Sequence, residues 1–212
     1  MKLYNWDPAP NPRRALIFIN EKGIDIPIEQ VGTPDMALSS EYLAQTSHGL
    51  VPLLELDDGT QIGEAMAICR YLEEVFPDPP LMGIDAVDKG IVEMWERKAD
   101  MEGMHAASEV FRNAHPKFAD RGLPGQCQDP IPQIPELVER GKARVQRFFN
   151  KIDQQLADNP FLAGPCFTVA DITAFCTIDF CKWSEINIPD DCKNVSRWYD
   201  EVASRPSTNT SK

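Results

Sequence analysis

Three prolines within four residues, Pro77-Asp78-Pro79-Pro80, constrain this chain more than any other feature. Proline lacks a backbone N–H and its ring clashes with the preceding turn, so no helix runs through such a segment. The texture of the sequence changes at the same place. Short β-branched runs alternate with helical ones before it, and helical periodicity dominates after it. A chain of 212 residues accommodates two domains. The expectation is a mixed domain over residues 1–79 and a helical domain over 87–212, joined by a linker at 77–86.

Before the break, Lys2–Asn5 reads as a short strand. A helix opens at Pro12 and runs to Lys22, where Gly23 takes the usual C-terminal position. Ile24–Val31 reads as a second strand and Ser40–Thr46 as a short helix. Leu53–Leu56, Asp58-Gly59 and Thr60–Ile62 carry the signal of a hairpin. Ala65, Ile68, Cys69, Leu72 and Phe76 then recur at helical spacing. The order is β-α-β-α-β-β-α.

After the break, Ile91, Met94, Trp95, Met101 and Met104 predict one broad apolar face on a helix from Val87 to Phe111. Leu137, Val138, Val145, Phe148, Phe149, Ile152 and Leu156 do the same for Glu136–Leu156. The proline-rich stretch Leu123–Pro135 reads as a stiff surface connection.

Charge removes whole classes of function. With 21 basic and 33 acidic side chains the formal charge is −12, which opposes nucleic acid and anionic membrane surfaces. No signal-peptide core and no long uncharged apolar run appears, so a cytoplasmic protein is expected. The six cysteines form no C-x-x-C pair and are expected reduced and mostly buried. Three scattered histidines suggest no metal.

Three segments carry a family resemblance. Gly49-Leu50-Val51-Pro52-Leu53-Leu54 is similar to a G-x-V-P-x-L segment. Gly63-Glu64-Ala65-Met66-Ala67-Ile68-Cys69-Arg70-Tyr71-Leu72 resembles an E-S-x-A-I-x-x-Y-L helix. Phe161–Ile172 resembles F-x-x-G-x-x-x-(S/T)-x-A-D-I. All three belong to the cytosolic glutathione transferase superfamily, here of bacterial type, and together they span nearly the whole chain. The resemblance implies an α/β thioredoxin-like N-terminal domain and an all-α helical-bundle C-terminal domain. It also implies glutathione as co-substrate with no further cofactor, a small hydrophobic electrophile as second substrate, and a homodimer.

Within the third segment, Thr168 is placed to cap the helix that follows, with Asp171 reaching back three positions to the freed backbone N–H. The resemblance makes Val51-Pro52 a cis bond whose Val51 backbone pairs with the cysteinyl part of glutathione. It places Glu64 and Ala65 at the γ-glutamyl end, at a helix N-terminus suited to anions. The family's serine is Ala65 here and its lysine is Leu50. Each loss removes a charge-assisted contact, and one such bond contributes about 1.5–3 kcal/mol. His48 is a candidate for the glycyl carboxylate, and Arg13 in the first helix for a nearby anion.

The sulfur site has no Tyr, Ser or Cys at the head of the first helix. Pro8-Ala9-Pro10-Asn11-Pro12 instead resembles the T-P-N-G turn of Nu-class enzymes, which makes Asn11 the candidate catalytic donor to the thiolate. Asn before a first-turn proline is also a good N-cap, and the residues leave both roles open. No cysteine precedes Cys69, which argues against a covalent mechanism through a protein thiol. Trp6, Met104, His105, Ser108, Phe111 and Arg112 are candidates for the electrophile pocket. One of Arg13 and Arg14 at least is expected to be solvated.

The leading expectation is therefore conjugation of glutathione to an electrophile. The alternatives are glutathione-dependent disulfide reduction without a protein cysteine, and a non-catalytic binding or regulatory protein. Residues 1–80 carry 5 basic and 13 acidic groups, so long-range attraction does not recruit an anionic tripeptide there. Binding is expected to be weak and to rest on a few short-range donors.

Overall fold

The computed structural model describes residues 1–33, 35–46, 49–125 and 129–209. The N-terminal part follows the order β1 (Lys2–Asn5), α1 (Pro10–Glu21), β2 (Ile28–Gln30), α2 (Ser40–Gln45), β3 (Leu53–Glu55), β4 (Gln61–Gly63) and α3 (Ala65–Val75). The four strands form one mixed sheet in the order β2-β1-β3-β4. β1 runs parallel to β2 and antiparallel to β3, with Leu3 opposite Ile28 on one side and Leu54 on the other. The Asp58-Gly59 hairpin closes through Leu56 N–H to the Thr60 carbonyl at 2.8 Å, and Gly59 supplies the φ of +85° that the turn requires.

Two expectations shift here. α1 begins at Pro10, two residues before the expected start, and its N-cap is Ala9 with no side-chain cap. The first turn of a helix has no use for its N–H groups, so Pro10 and Pro12 both fit inside it. The second strand shrinks from Ile24–Val31 to three exposed residues, because Pro27 has no N–H to give and offers only its carbonyl, to Leu3 N–H at 2.9 Å.

The remainder is helical: α4 (Ala86–Lys98), α5 (His105–Ala114), α6 (Pro135–Asp158), α7 (Val169–Lys182) and α8 (Lys193–Ala203). A π-helical stretch, Ala99–Met104, joins α4 to α5 where one continuous helix is expected. Gly103 lies in it, and a Cβ there would come within 2.9 Å of both Phe148 and Thr177. Only glycine lets the stretch pack this close to α6 and α7. The expected apolar face is also corrected. Val92, Trp95, Ala99 and Met104 are buried, whereas Ile91, Met94 and Met101 are 37%, 44% and 51% exposed. α4 carries apolar residues on both sides, and packing on α7 selects one.

α7 is the central pillar, with nearly every side chain buried. At its head Asp171 Oδ2 accepts the Thr168 N–H at 3.0 Å, while Oδ1 accepts the Leu162 N–H and the Trp198 indole at 2.9 and 2.8 Å. The expected Thr168–Asp171 cap is thus also a tertiary clasp joining α7 to α8. α1 lies between α3 and α7, so a single apolar core runs from Leu3 and Phe18 to Phe148 and Trp198. Each fully buried side chain of this size contributes about 1.5–3 kcal/mol. Cys69, Cys166, Cys176, Cys181 and Cys192 are free thiols; Cys127 lies outside the described residues. Burial pushes Cys69, Cys176 and Cys181 up to about 12, which keeps them protonated and inert. No helix among the described residues is long and apolar enough to cross a membrane.

Candidate functional site

A cleft of about 1180 Å³ opens between the sheet-bearing part and the helices. Its first wall comes from the loops after β1 and before β3 and from the heads of α1 and α3. The π-helical stretch, α5, the connection after α5 and the end of α7 form the second.

The head of α1 brings Asn11 into the cleft. As second residue of the helix it caps nothing. Its Oδ1 accepts from Arg14 Nη1 at 3.0 Å, which leaves the Nδ2 amide without a partner among the described residues. Its backbone N–H is also without one, and the prolines on either side have no N–H to offer. Asn11 therefore presents two donors at the positive end of a helix dipole.

Arg14, one turn further on, is 3% exposed. Besides Asn11 it donates to Glu96 Oε1 at 2.7 Å, Asp100 Oδ1 at 3.0 Å and Thr173 Oγ1 at 3.1 Å. One guanidinium thus ties α1 to α4, to the π-helical stretch and to α7. Burial pushes the Glu96 carboxyl above its usual range, against the opposite pull of Arg14. Arg13 points elsewhere. It pairs with Asp179 and lies over the Phe175 ring at 5.0 Å, outside the cleft. The arginine expected to face a ligand anion is thus engaged with α7, and its neighbour, not singled out by the sequence, holds the centre.

Val51 lines the cleft next to the cis Val51-Pro52 bond, and neither its N–H nor its C=O has a partner among the described residues. Pro52 itself is buried behind it. Glu64, the N-cap of α3, also lines the cleft, at φ +66° and ψ 124° with no side-chain cap bond. A non-glycine residue held there stores about 1–3 kcal/mol of strain, which persists only where the surroundings impose it. Behind Glu64, Ala65 is 3% exposed, and the N–H groups of Ala65, Met66 and Ala67 have no partner among the described residues. The head of α3 is thus an open anion site. His48 lies outside the described residues.

All six candidates for the electrophile pocket line the same cleft: Trp6, Met104, His105, Ser108, Phe111 and Arg112. The sequence reading missed Phe118, Phe180, Trp183 and Arg121, which line it too. The spacing Phe111, His115, Phe118 was a usable signal, since it repeats at helical intervals past the end of α5; Trp183 had none. Among the described residues no group of His, Cys, Asp or Glu is arranged to hold a metal ion.

Residues 3–80 match the family described as glutathione S-transferase, N-terminal domain, and residues 135–201 match glutathione S-transferase, C-terminal domain. The chain is similar to glutathione S-transferase 2 of Saccharomyces cerevisiae, 30% identical over 210 residues that cover 98% of this chain and 87% of the relative. It is similar to the crystal structure of a class Gtt2 glutathione S-transferase of Vibrio parahaemolyticus, at 32% identity and a TM-score of 0.82, covering 99% of this chain and 96% of that one. Elongation factor 1-gamma 1 of Oryza sativa subsp. japonica is 24% identical over 209 residues, 96% of this chain but only 46% of that longer protein.

Proposed function

The chain belongs to the glutathione S-transferase family, and from that premise we propose that it binds glutathione as the thiolate and conjugates it to a small hydrophobic electrophile. The observation that carries this reading is Asn11, which offers both a backbone N–H and a side-chain amide at the head of α1 inside the cleft. Two donors and a helix dipole favour the ionised sulfur over the thiol, and each unit by which they lower its pKa corresponds to about 1.4 kcal/mol. The Nu-like turn supplies the donor, and Arg14 orients it by taking the amide oxygen. Val51 meets the cysteinyl backbone as an added strand would. The head of α3 receives the γ-glutamyl carboxylate, and Glu64, with no cation beside it among the described residues, takes the ammonium. The thiolate adds to the electrophilic carbon and the leaving group departs with its bonding pair.

Asn11→Asp keeps the oxygen that Arg14 binds and removes the amide donor. We expect kcat with an activated aryl halide to fall about a hundredfold, with the ultraviolet thiolate band of bound glutathione lost at neutral pH. An unchanged band and unchanged turnover would exclude the Asn11 side chain as the donor.

Ala65, which lacks the family's serine hydroxyl, and the elongation-factor relative favour one second reading, a non-catalytic glutathione-binding module. Retention on immobilised glutathione without turnover of an aryl halide or of a glutathione-capped disulfide would select it. We extend the family reading to a homodimer, supported by Val87, Ile91 and Met94, which α4 leaves exposed in a row. Light scattering of the wild type against Ile91→Glu tests that assembly.

A further inference from the structure

Away from Asn11 the cleft ends in aromatic rings. Phe111 stands among them, its centroid 5.3 Å from Phe118, 5.4 Å from Phe180 and 5.4 Å from Trp183. The approaches are edge-on, the arrangement that also suits an added ring. Trp183 is 40% exposed, so this wall has an open face.

Two arginines along the cleft are paired with carboxylates. Arg14 faces Glu96 and Asp100, and Arg140 faces Glu109 at 3.0 Å. Glu64 has no cation beside it among the described residues. Arg121 has no carboxylate beside it among the described residues. Its guanidinium carbon lies 4.8 Å from the Phe118 centroid, and among the described residues the guanidinium donates one hydrogen bond, from Nη2 to the Met36 carbonyl at 2.8 Å. That leaves most of its five N–H donors uncommitted beside an aromatic wall. The backbone of this segment is held from below, because Arg112 Nη1 donates to the carbonyls of Arg121 and Leu123 at 3.0 and 2.9 Å. A neutral apolar electrophile needs no such group. In a chain of net charge −12, an anionic one needs a local cation.

We propose that the second substrate is an aromatic electrophile bearing an acidic group, with its ring against Phe111, Phe118 and Trp183 and its carboxylate on Arg121. The inference rests on the conjugation reading above and names its substrate class. In the probe reaction the thiolate sulfur bonds to the ring carbon that carries chlorine. Chloride leaves with the C–Cl pair, and the proton released from the thiol passes to solvent.

The test compares 4-chloro-3,5-dinitrobenzoate with its methyl ester, each corrected for its uncatalysed rate with glutathione. The ratio of kcat/KM, acid over ester, is expected to fall about fivefold in Arg121→Gln, the size of an exposed ion pair, and to recover in part in Arg121→Lys. Added salt is expected to compress the ratio in the wild type and to leave the glutamine variant unmoved. A ratio indifferent to residue 121 overturns the inference, as does a rise in KM for glutathione without a change in the ratio, which would assign Arg121 to the tripeptide. Binding of unreactive 3,5-dinitrobenzoate, followed by quenching of tryptophan fluorescence, separates the two readings. Binding that weakens in Arg121→Gln without any turnover overturns conjugation and keeps the anion subsite; binding that does not weaken overturns the subsite.

Discussion

The two walls of the cleft offer different kinds of group. On the sheet side most open donors belong to the backbone, at Val51, the first turn of α3 and the N–H of Asn11, with the Asn11 amide as the side-chain exception. On the helical side the wall is made of side chains such as Met104, Ser108, Phe111 and Trp183, brought together from separate helices. Backbone donors are aimed by local devices, a proline, a turn or a helix start, and cannot be changed by substituting the residue that carries them. Side-chain walls are aimed by helix register and change with every substitution. Such a division suits an invariant ligand on the first wall and a variable one on the second. Arg14 is the joint, since it touches Asn11 on one side and Glu96 and Asp100 on the other.

Breaking that joint has the largest expected effect. Arg14→Met leaves Glu96, 1% exposed, and Asp100 without their buried cation. Stripping one partner from such a group costs about 3–5 kcal/mol. Urea denaturation measures it, with partial recovery expected in Arg14→Lys; a wild-type midpoint in the methionine variant would mean that the walls stand independently.

A second lever lies in the scaffold behind the helical wall. Burial pushes the Asp171 carboxyl up to about 6 against the pull of its backbone and indole donors, from an ordinary value of 3.8. Between those values the folded chain holds a proton that the unfolded chain has lost. The contribution of Asp171 therefore falls as pH rises from about 4 to about 6 and is level above that, by at most about 3 kcal/mol. The stability difference between wild type and Asp171→Asn should follow this slope, and a flat difference from pH 4 to 7 would contradict it.

Smaller changes sharpen the sheet side. Ala65→Ser adds a hydroxyl at the head of α3, and calorimetry should find glutathione bound about tenfold more tightly, the equivalent of one modest charge-assisted bond. No gain would mean that the ligand's carboxylate sits elsewhere. Arg13→Ala should leave glutathione affinity unchanged and lower stability by about 1–2 kcal/mol, since it breaks the partly exposed pair with Asp179 and the contact over Phe175. Weakened glutathione binding in that variant would return Arg13 to the site.

Much of the sheet side was legible in the sequence. The hairpin at Asp58-Gly59, the end of α1 at Gly23, the start of α3 after Glu64 and, on the helical side, the Thr168–Asp171 pair each depend on residues within a few positions of one another. Asn11 shows where such reading stops. The proline beside it marked a helix start, but two prolines allowed two starts, and the tertiary contact with Arg14 goes with the earlier one.

The sequence by itself determined the order of the elements and the local turns and caps, because hydrogen-bonding patterns and dihedral preferences act over short stretches of chain. Only the tertiary structure decided that Arg14 is buried and Arg13 is not, that α4 exposes Ile91 and Met94, and that Arg121 reaches across to Met36. Neighbours on a helix point about 100° apart, and which direction leads to the core depends on a partner far away in sequence. Arg14 found two carboxylates and a threonine there, 82 to 159 residues distant.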